Sequence, residues 1–98
     1  MDINVNRTDV VLTISPVGRL DSVSSGELSA CIDANFTADV PGIVIDMTGV
    51  DYISSSGLRV LVALYKSLAG RRMEVTSANA SVREVFRLSG LAAVFGME

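Results

Sequence analysis

The feature that most constrains the fold of this chain is a regular alternation of two hydrophobic patterns. Short runs rich in β-branched residues, such as IVIDM over residues 43–47, are followed by longer runs with apolar residues at helical spacing. The first pattern is typical of strands that are buried on both faces, and the second of helices with one apolar face. Strands that alternate with helices predict a mostly parallel sheet with right-handed crossovers.

The N-terminal part departs from this alternation, because two strand patterns follow each other directly. The segment INVNRTDVVLTISPVG, residues 3–18, contains both, separated by a short polar junction near Arg7–Asp9. So short a connection predicts an antiparallel hairpin at one edge of the sheet. Pro16 and Gly18 are expected to end the second strand, because both residues disfavour a strand interior.

The first helix is predicted within LDSVSSGELSACIDANF, residues 20–36. Ser24, with Glu27 three residues later, fits a capping box at its start. Leu28 and Ile32 belong to an apolar stripe that faces the core. Cys31 lies on the same stripe and is expected to be a small core residue.

Two more helices and one more strand complete the predicted order. The second helix extends from the serines near residue 54 to Gly70, and MEVTSA is the next strand. The helix in SVREVFRLSG has Asn79 or Ser81 as its N-cap, and the spacing from Ser81 to Glu84 favours Ser81. The tail LAAVFGME predicts a short strand or a turn. The order β-β-α-β-α-β-α indicates one α/β domain over residues 1–98, with a mixed sheet and helices packed against it.

Composition excludes several classes of function. The net charge is −3 with no cluster of Lys and Arg, so nucleic acid is not an expected partner. The chain has no histidine and a single cysteine, which removes the usual zinc sites, disulfides and Ser-His dyads. No apolar run is long enough to span a membrane, and the N-terminus is unlike a secretory signal. We therefore expect a cytoplasmic binding protein that is not an enzyme, holds no cofactor or metal and has no membrane partner.

The stretch YISSSGLRVL, residues 52–61, places three serines where a helix begins. One of them is expected to cap that helix. Nucleophilic catalysis is disfavoured because no histidine is present, Lys66 lies several turns away and the stretch lacks the G-x-S-x-G pattern. A phosphate-binding P-loop is also absent. Tyr52 and Ile53 form an exposed apolar lip or pack beneath the loop, and packing is the favoured interpretation.

The run IVIDMTGVDYISSSGLRVLVALYKSL resembles the signature of STAS domains, in particular the bacterial anti-sigma factor antagonists. GRLDSVSSGEL is similar to the family's segment before its first helix, and VREVFRLSGLAAVF is similar to its C-terminal helix and turn. The three motifs occur in the family's order and cover nearly the whole chain.

The resemblance implies a partner switch. Such antagonists bind an anti-sigma factor that is also a serine kinase, and phosphorylation of a serine ends the binding. A phosphatase of the PP2C type reverses the modification. The family's acceptor lies two residues before the glycine, which corresponds to Ser55. Ser54 stands where the family commonly has aspartate, so three hydroxyls lie side by side.

We expect Asp21 and Asp46 to lie at one edge of the sheet beside Ser55, because each ends or follows a strand that leads there. Each could equally serve its own turn or helix end. The further residues expected at the partner surface are Ser54, Ser56, Gly57 and Leu58.

Two other functions stay open at this point. Some STAS domains are subunits of membrane transport complexes and are not phosphorylated. A third possibility is that the crevice binds a nucleotide or another small molecule.

Overall fold

The chain folds into a mixed sheet with three helices. The computed structural model describes residues 1–97. Its elements are β1 (Asp2–Arg7), β2 (Leu12–Leu20), α1 (Ser22–Asn35), β3 (Gly42–Asp46), β4 (Val50–Ile53), α2 (Ser55–Lys66), β5 (Arg72–Thr76) and α3 (Ala80–Leu88). The predicted α/β class, the antiparallel hairpin of β1 and β2, and the parallel strands that follow are confirmed. The sequence pattern does not predict β4.

Strand β2 organises the sheet because it pairs with three other strands. It is antiparallel to β1 along most of its length. Its first residues, Leu12–Ile14, are parallel to β3, and its last residues, Gly18–Leu20, are parallel to β4. On the far side of β3, strand β5 continues the sheet in parallel.

The expectation that Pro16 and Gly18 end the second strand is wrong. Pro16 lies between the part of β2 that pairs with β3 and the part that pairs with β4, where its missing N–H interrupts no parallel pairing. Gly18 has a φ of 104° and its N–H donates to the Gly49 carbonyl at 2.8 Å. The pairing register shifts immediately after it. The strand therefore changes partner at these residues and continues.

The unpredicted strand β4 follows β3 along β2 after a short turn at residues 47–49. Met47 remains attached to the sheet, because its N–H donates to the Thr76 carbonyl at 2.8 Å. The N–H of Val50 donates to the Met47 carbonyl at 3.0 Å and closes the turn. Strand β4 has only four residues, of which Asp51 and Tyr52 are exposed. So short and half-polar a segment has no strand pattern in the sequence.

The core lies where alternate strand residues meet the apolar stripes of the helices. Ile43 and Ile45 of β3 are fully buried, whereas Val44 is half-buried. The prediction of a strand buried on both faces is therefore wrong for β3, since only one face is covered completely. The helices contribute Leu28 of α1 and Leu61 of α2, both completely buried.

The end of α2 differs from the prediction and forms a compact corner. The helix ends at Lys66, with Ser67 as its C-cap, and not at Gly70. Beyond it, the Arg71 guanidinium stacks on the Phe36 ring at 3.9 Å. It donates to the carbonyls of Leu68, Thr37 and Val40 at 2.9, 2.8 and 3.1 Å. One side chain thus satisfies three loop carbonyls and joins the end of α2 to the segment before β3.

The N-cap of α3 is Asn79, so the preference for Ser81 is wrong. The Asn79 side chain accepts a hydrogen bond from the Val82 N–H at 2.8 Å and donates to the Val50 carbonyl at 3.2 Å. It therefore caps the helix and ties it to β4. Glu84, which Ser81 would need for a capping box, pairs with Arg87.

After α3 the chain forms a turn and not a short strand, so the second of the two alternatives predicted for the tail is confirmed. Phe95 is buried there and meets the rings of Phe86 and Tyr65 edge-on, at centroid distances of 5.8 and 5.9 Å. Cys31 is half-buried against the core, in agreement with its predicted packing role. Over residues 1–97, the helices are too short or too polar to cross a bilayer.

Candidate functional site: the paired helix starts after β2 and β4

Two helices begin side by side at one corner of the sheet. Leu20 of β2 and Ile53 of β4 are partners in the sheet, and each strand leads directly into a helix. The first residues beyond the strands, Asp21 and Ser54, are the N-caps of α1 and α2. The Ser54 N–H donates to the Leu20 carbonyl at 2.8 Å and holds the two helix starts together.

The prediction that one of the three serines caps the helix is confirmed, and the capping residue is Ser54. Its hydroxyl oxygen accepts a hydrogen bond from the Gly57 N–H at 3.2 Å. Its carbonyl accepts the first bond of the helix, from the Leu58 N–H at 3.0 Å. The Ser54 hydroxyl is therefore occupied in holding the start of α2.

Ser55 is the first residue of α2 and is exposed. Within residues 1–97 its hydroxyl has no hydrogen-bond partner, and the N–H groups of Ser55 and Ser56 donate to no other described residue. Ser56 is half-buried. Ser55 therefore has the most accessible hydroxyl of the three serines, next to two N–H groups at the positive end of the helix dipole.

Asp21 lies beside this serine cluster and caps α1. Its Oδ1 accepts hydrogen bonds from the N–H groups of Val23 and Ser24, both at 3.0 Å. The Ser24 hydroxyl accepts in return from the Asp21 N–H at 2.9 Å. A capping box thus exists here, but it joins Asp21 and Ser24, so the predicted box of Ser24 and Glu27 is wrong. Asp21 is a residue type that often caps helices, and it begins α1 about one helical turn before the predicted cap at Ser24.

Hydrogen bonds keep the Asp21 carboxylate charged. The pKa of Asp21 is lowered, first by the backbone bond and then by the hydroxyl of Ser24, with smaller contributions from the Val23 N–H and the Arg19 charge. The side chain is exposed, so a fixed negative charge borders the serines on the side of α1.

Asp46 lies elsewhere, so the expectation that both aspartates share one edge with Ser55 is wrong. Ile45 is paired with Ile14, which places Asp46 beside Ser15 on β2. Strand β2 extends five residues beyond Ser15 to Leu20, a rise of roughly 16 Å at 3.3 Å per residue. Asp46 serves its own turn: it accepts from the Thr48 hydroxyl at 2.6 Å and the Thr48 N–H at 3.0 Å. These two bonds lower its pKa.

Gly57 and Leu58 support the corner from beneath. Both residues are buried, so neither offers an exposed surface for direct contact with a partner. A Cβ atom at Gly57 would lie 2.8 Å from Ile53 Cγ1 and 3.3 Å from Leu20 Cβ. The glycine at this position therefore allows α2 to approach the ends of β2 and β4 closely.

The structure also brings Arg19 and Tyr52 into contact beside the two helix starts, which the sequence does not predict. Arg19 and Tyr52 are partners across β2 and β4, and the Arg19 guanidinium lies 4.1 Å from the centre of the Tyr52 ring. Tyr52 is 39% exposed and Ile53 is buried, so the favoured packing interpretation holds for Ile53 and is wrong for Tyr52. Arg19 carries no motif of its own, and only the register of β4 could have indicated it.

Comparison with known proteins identifies the family. The STAS domain model matches residues 2–98, and the chain belongs to this family. A Bordetella bronchiseptica protein named as a candidate anti-sigma factor antagonist, BtrV, is 31% identical over 97 residues, which is 97% of this chain and 84% of that protein.

Solved structures agree with this assignment. An anti-sigma factor antagonist from Mycobacterium paratuberculosis is 29% identical with a TM-score of 0.88, covering 96% of this chain and 81% of that one. The anti-sigma factor antagonist SpoIIAA has the same fold. Its unphosphorylated form has a TM-score of 0.82 at 24% identity, covering 94% of this chain and 84% of that one. The phosphorylated form from Bacillus has a TM-score of 0.75 at 22% identity, covering 94% and 86%.

Proposed function

We propose that this protein is an anti-sigma factor antagonist that works by partner switching. In the unphosphorylated state it binds an anti-sigma factor that is also a serine kinase. Phosphorylation of Ser55 by that kinase ends the binding, and a PP2C-type phosphatase restores it. The names of BtrV and of the Mycobacterium paratuberculosis structure support the antagonist role, and SpoIIAA is known in both phosphorylation states.

The observation that carries the choice of Ser55 is the different engagement of the three hydroxyls. The hydroxyl oxygen of Ser54 caps α2 and is already engaged by the Gly57 N–H at 3.2 Å. Ser56 is half-buried, whereas Ser55 is exposed and has no partner within residues 1–97. A kinase therefore reaches the Ser55 hydroxyl without disturbing the start of the helix.

The position also supports a switch that leaves the fold intact. Phosphorylation adds about −1.5 to −2 of charge and three strong acceptors. A helix N-terminus accommodates such a group, because its N–H groups and dipole favour negative charge. The effect of the phosphate is then directed at the partner and not at the folded state.

Repulsion of a partner carboxylate is large enough to end binding. Two unit charges of the same sign about 4 Å apart repel by about 4 kcal/mol at an effective dielectric constant near 20. That energy corresponds to a change of roughly a thousandfold in Kd. The partner surface that we propose consists of Asp21 and the three serines, supported from below by Gly57 and Leu58. Asp46 is left out because it lies farther down the sheet.

The test begins with co-purification of the partner from the organism's lysate. The bound kinase is then incubated with the protein and ATP, and the modified residue is located by mass spectrometry. We expect a single phosphate on Ser55. Phosphate on Ser54 or Ser56, or on a distant residue, contradicts the assignment of the acceptor. A transport ATPase or permease recovered without any kinase contradicts the function.

Two substitutions at Ser55 separate binding from modification. Ser55→Ala is expected to keep the partner bound in the presence of ATP, because it cannot be phosphorylated. Ser55→Asp is expected to weaken binding at least tenfold, since it places a permanent charge at the same position. The matched control is Ser81→Asp, which adds the same charge to the exposed first turn of α3 and should leave binding unchanged.

A further inference from the structure

Arg59 is an exposed cation without an ion-pair partner within residues 1–97. Three of the other arginines pair with carboxylates, Arg71 binds loop carbonyls and Arg19 lies over Tyr52. Arg59 and Arg83 make none of these contacts. Arg59 lies in α2 four residues after Ser55, and both side chains are exposed.

We propose that Arg59 is the intramolecular ligand of phosphorylated Ser55, an inference that rests on the proposed function. Residues four apart on a helix lie on the same face, with Cβ atoms about 5–6 Å from each other. A guanidinium at that distance reaches a phosphate and can donate two parallel hydrogen bonds to it. The order is the favourable one, with the negative group N-terminal to the positive group.

The modification itself is an ordinary phosphoryl transfer from ATP. A bond forms between the Ser55 oxygen and the γ-phosphorus, while the bond from that phosphorus to the bridging oxygen breaks and ADP leaves. The hydroxyl proton passes to solvent by way of the kinase. The product carries about −1.5 to −2 of charge one helical turn from Arg59.

Pairing with Arg59 gives phosphorylation two effects on the corner. Before modification, the pair of Ser55 and Arg59 carries a charge of +1, and the guanidinium is free to meet a carboxylate on the partner. After modification, the guanidinium is held by the phosphate and the same surface becomes net negative. The partner thus loses an attractive cation and gains a repulsive anion through one reaction.

The experiment installs phosphoserine at position 55 of the full chain by genetic code expansion, so that no kinase is required. The second pKa of the phosphoserine is then followed by 31P NMR titration, with Arg59 intact and with Arg59→Gln. An unperturbed phosphoserine has a second pKa of about 6. An i,i+4 pair of about 0.5 kcal/mol predicts that Arg59 lowers this second pKa by about 0.4 of a pH unit.

The control is Arg83→Gln, which removes another exposed arginine without an ion pair in the described chain. It should titrate like the intact phosphoprotein, whereas Arg59→Gln should titrate higher. Salt at about 1 M should reduce the difference, because it screens exposed charges. Circular dichroism of each variant confirms that the helices are retained.

Equal pKa values in the intact phosphoprotein and in Arg59→Gln would overturn the inference. An equal increase in Arg59→Gln and Arg83→Gln would also overturn it, since the effect would then reflect net charge alone. Neither result touches the kinase assay on Ser55. Conversely, a kinase that ignores Ser55 refutes the proposed function while the titration still reports on Arg59.

Discussion

Gly57→Ala should destabilise this protein although alanine is the better helix former. Gly57 lies in the first turn of α2 and is buried against the ends of β2 and β4. The added Cβ would lie 2.8 Å from Ile53 Cγ1, a distance that Cβ atoms do not tolerate. It would also lie 3.3 Å from Leu20 Cβ, so α2 or Ile53 must move.

The size of the effect follows from two opposing contributions. Forcing an extra methyl group into a packed site costs about 1–3 kcal/mol. Replacing glycine by alanine within a helix gains about 0.8–1 kcal/mol. The expected result is a net loss of about 1 kcal/mol in the free energy of unfolding.

Gly26→Ala supplies the matched control, because Gly26 lies in α1 with no atom within 4 Å of its added Cβ. This variant should gain about 0.8 kcal/mol from helix propensity alone. The two variants should therefore differ by about 2 kcal/mol, which isolates the packing cost. Urea unfolding followed by circular dichroism measures both values. The slope of the unfolding free energy against urea concentration should be the same in both variants.

A Gly57→Ala variant as stable as Gly26→Ala would refute the reasoning. It would mean that the close approach of α2 to the ends of the two strands is not required. The double variant with Ile53→Ala provides a second check. Removing the Ile53 side chain should make the effect of Gly57→Ala smaller, since the clashing atom is gone.

Three further predictions concern the stability of the folded chain. Ser25 has a buried hydroxyl without a hydrogen bond within residues 1–97, so Ser25→Ala should be neutral or up to about 1 kcal/mol stabilising in urea unfolding. Ser24→Ala is its control and should lose about 1–2 kcal/mol, because Ser24 closes the capping box of α1; equal effects of the two changes would contradict this distinction. Arg71→Lys should lower the free energy of unfolding by about 2 kcal/mol in the same assay, since an ammonium cannot reproduce the three carbonyl bonds and the ring contact. Unchanged stability would show that the loop after α2 does not depend on the guanidinium. The pKa of Asp39 is lowered to about 2 by the Thr37 hydroxyl and by Arg7, so its charged form stabilises the fold above the ordinary value of 3.8 and this contribution is lost as the pH falls toward 2. The stability of Asp39→Asn should depend slightly less on pH during acid unfolding than that of the unsubstituted protein. Identical acid-unfolding profiles would contradict a stabilising role for the Asp39 charge.

Most of the architecture follows from local patterns in the sequence. The alternating residues of the first strand, the short β-branched run of β3 and the apolar stripes of α2 and α3 indicate the elements that they form. Helix ends were predicted less well, because several residues near each end can cap. Asp21 and not Ser24 caps α1, because it is the first residue after β2. Asn79 and not Ser81 caps α3, because it ends the loop that follows β5.

The features that the sequence did not reveal all depend on how strands pair. Strand β4 is held by β2 and not by a pattern of its own, and its presence moves the serines to the far end of β2. Asp46 then lies beside the middle of β2, although its position in the sequence resembles that of a residue at the site. The stacking of Arg19 on Tyr52 depends on the same register. Ser55, the proposed acceptor, is in contrast the first residue of α2, and the sequence predicts the start of this helix at the same serines.

The change of partner along β2 also has a consequence for the order of folding. Pairing β2 with β3 closes a loop of about 30 residues that includes α1, and this closure carries most of the entropic cost. Once that contact exists, pairing β2 with β4 closes only a few additional residues. The paired helix starts that carry Ser55 should therefore form late in folding, with a small additional entropic cost. Substitutions there should mainly accelerate unfolding, whereas substitutions between β2 and β3 should slow folding.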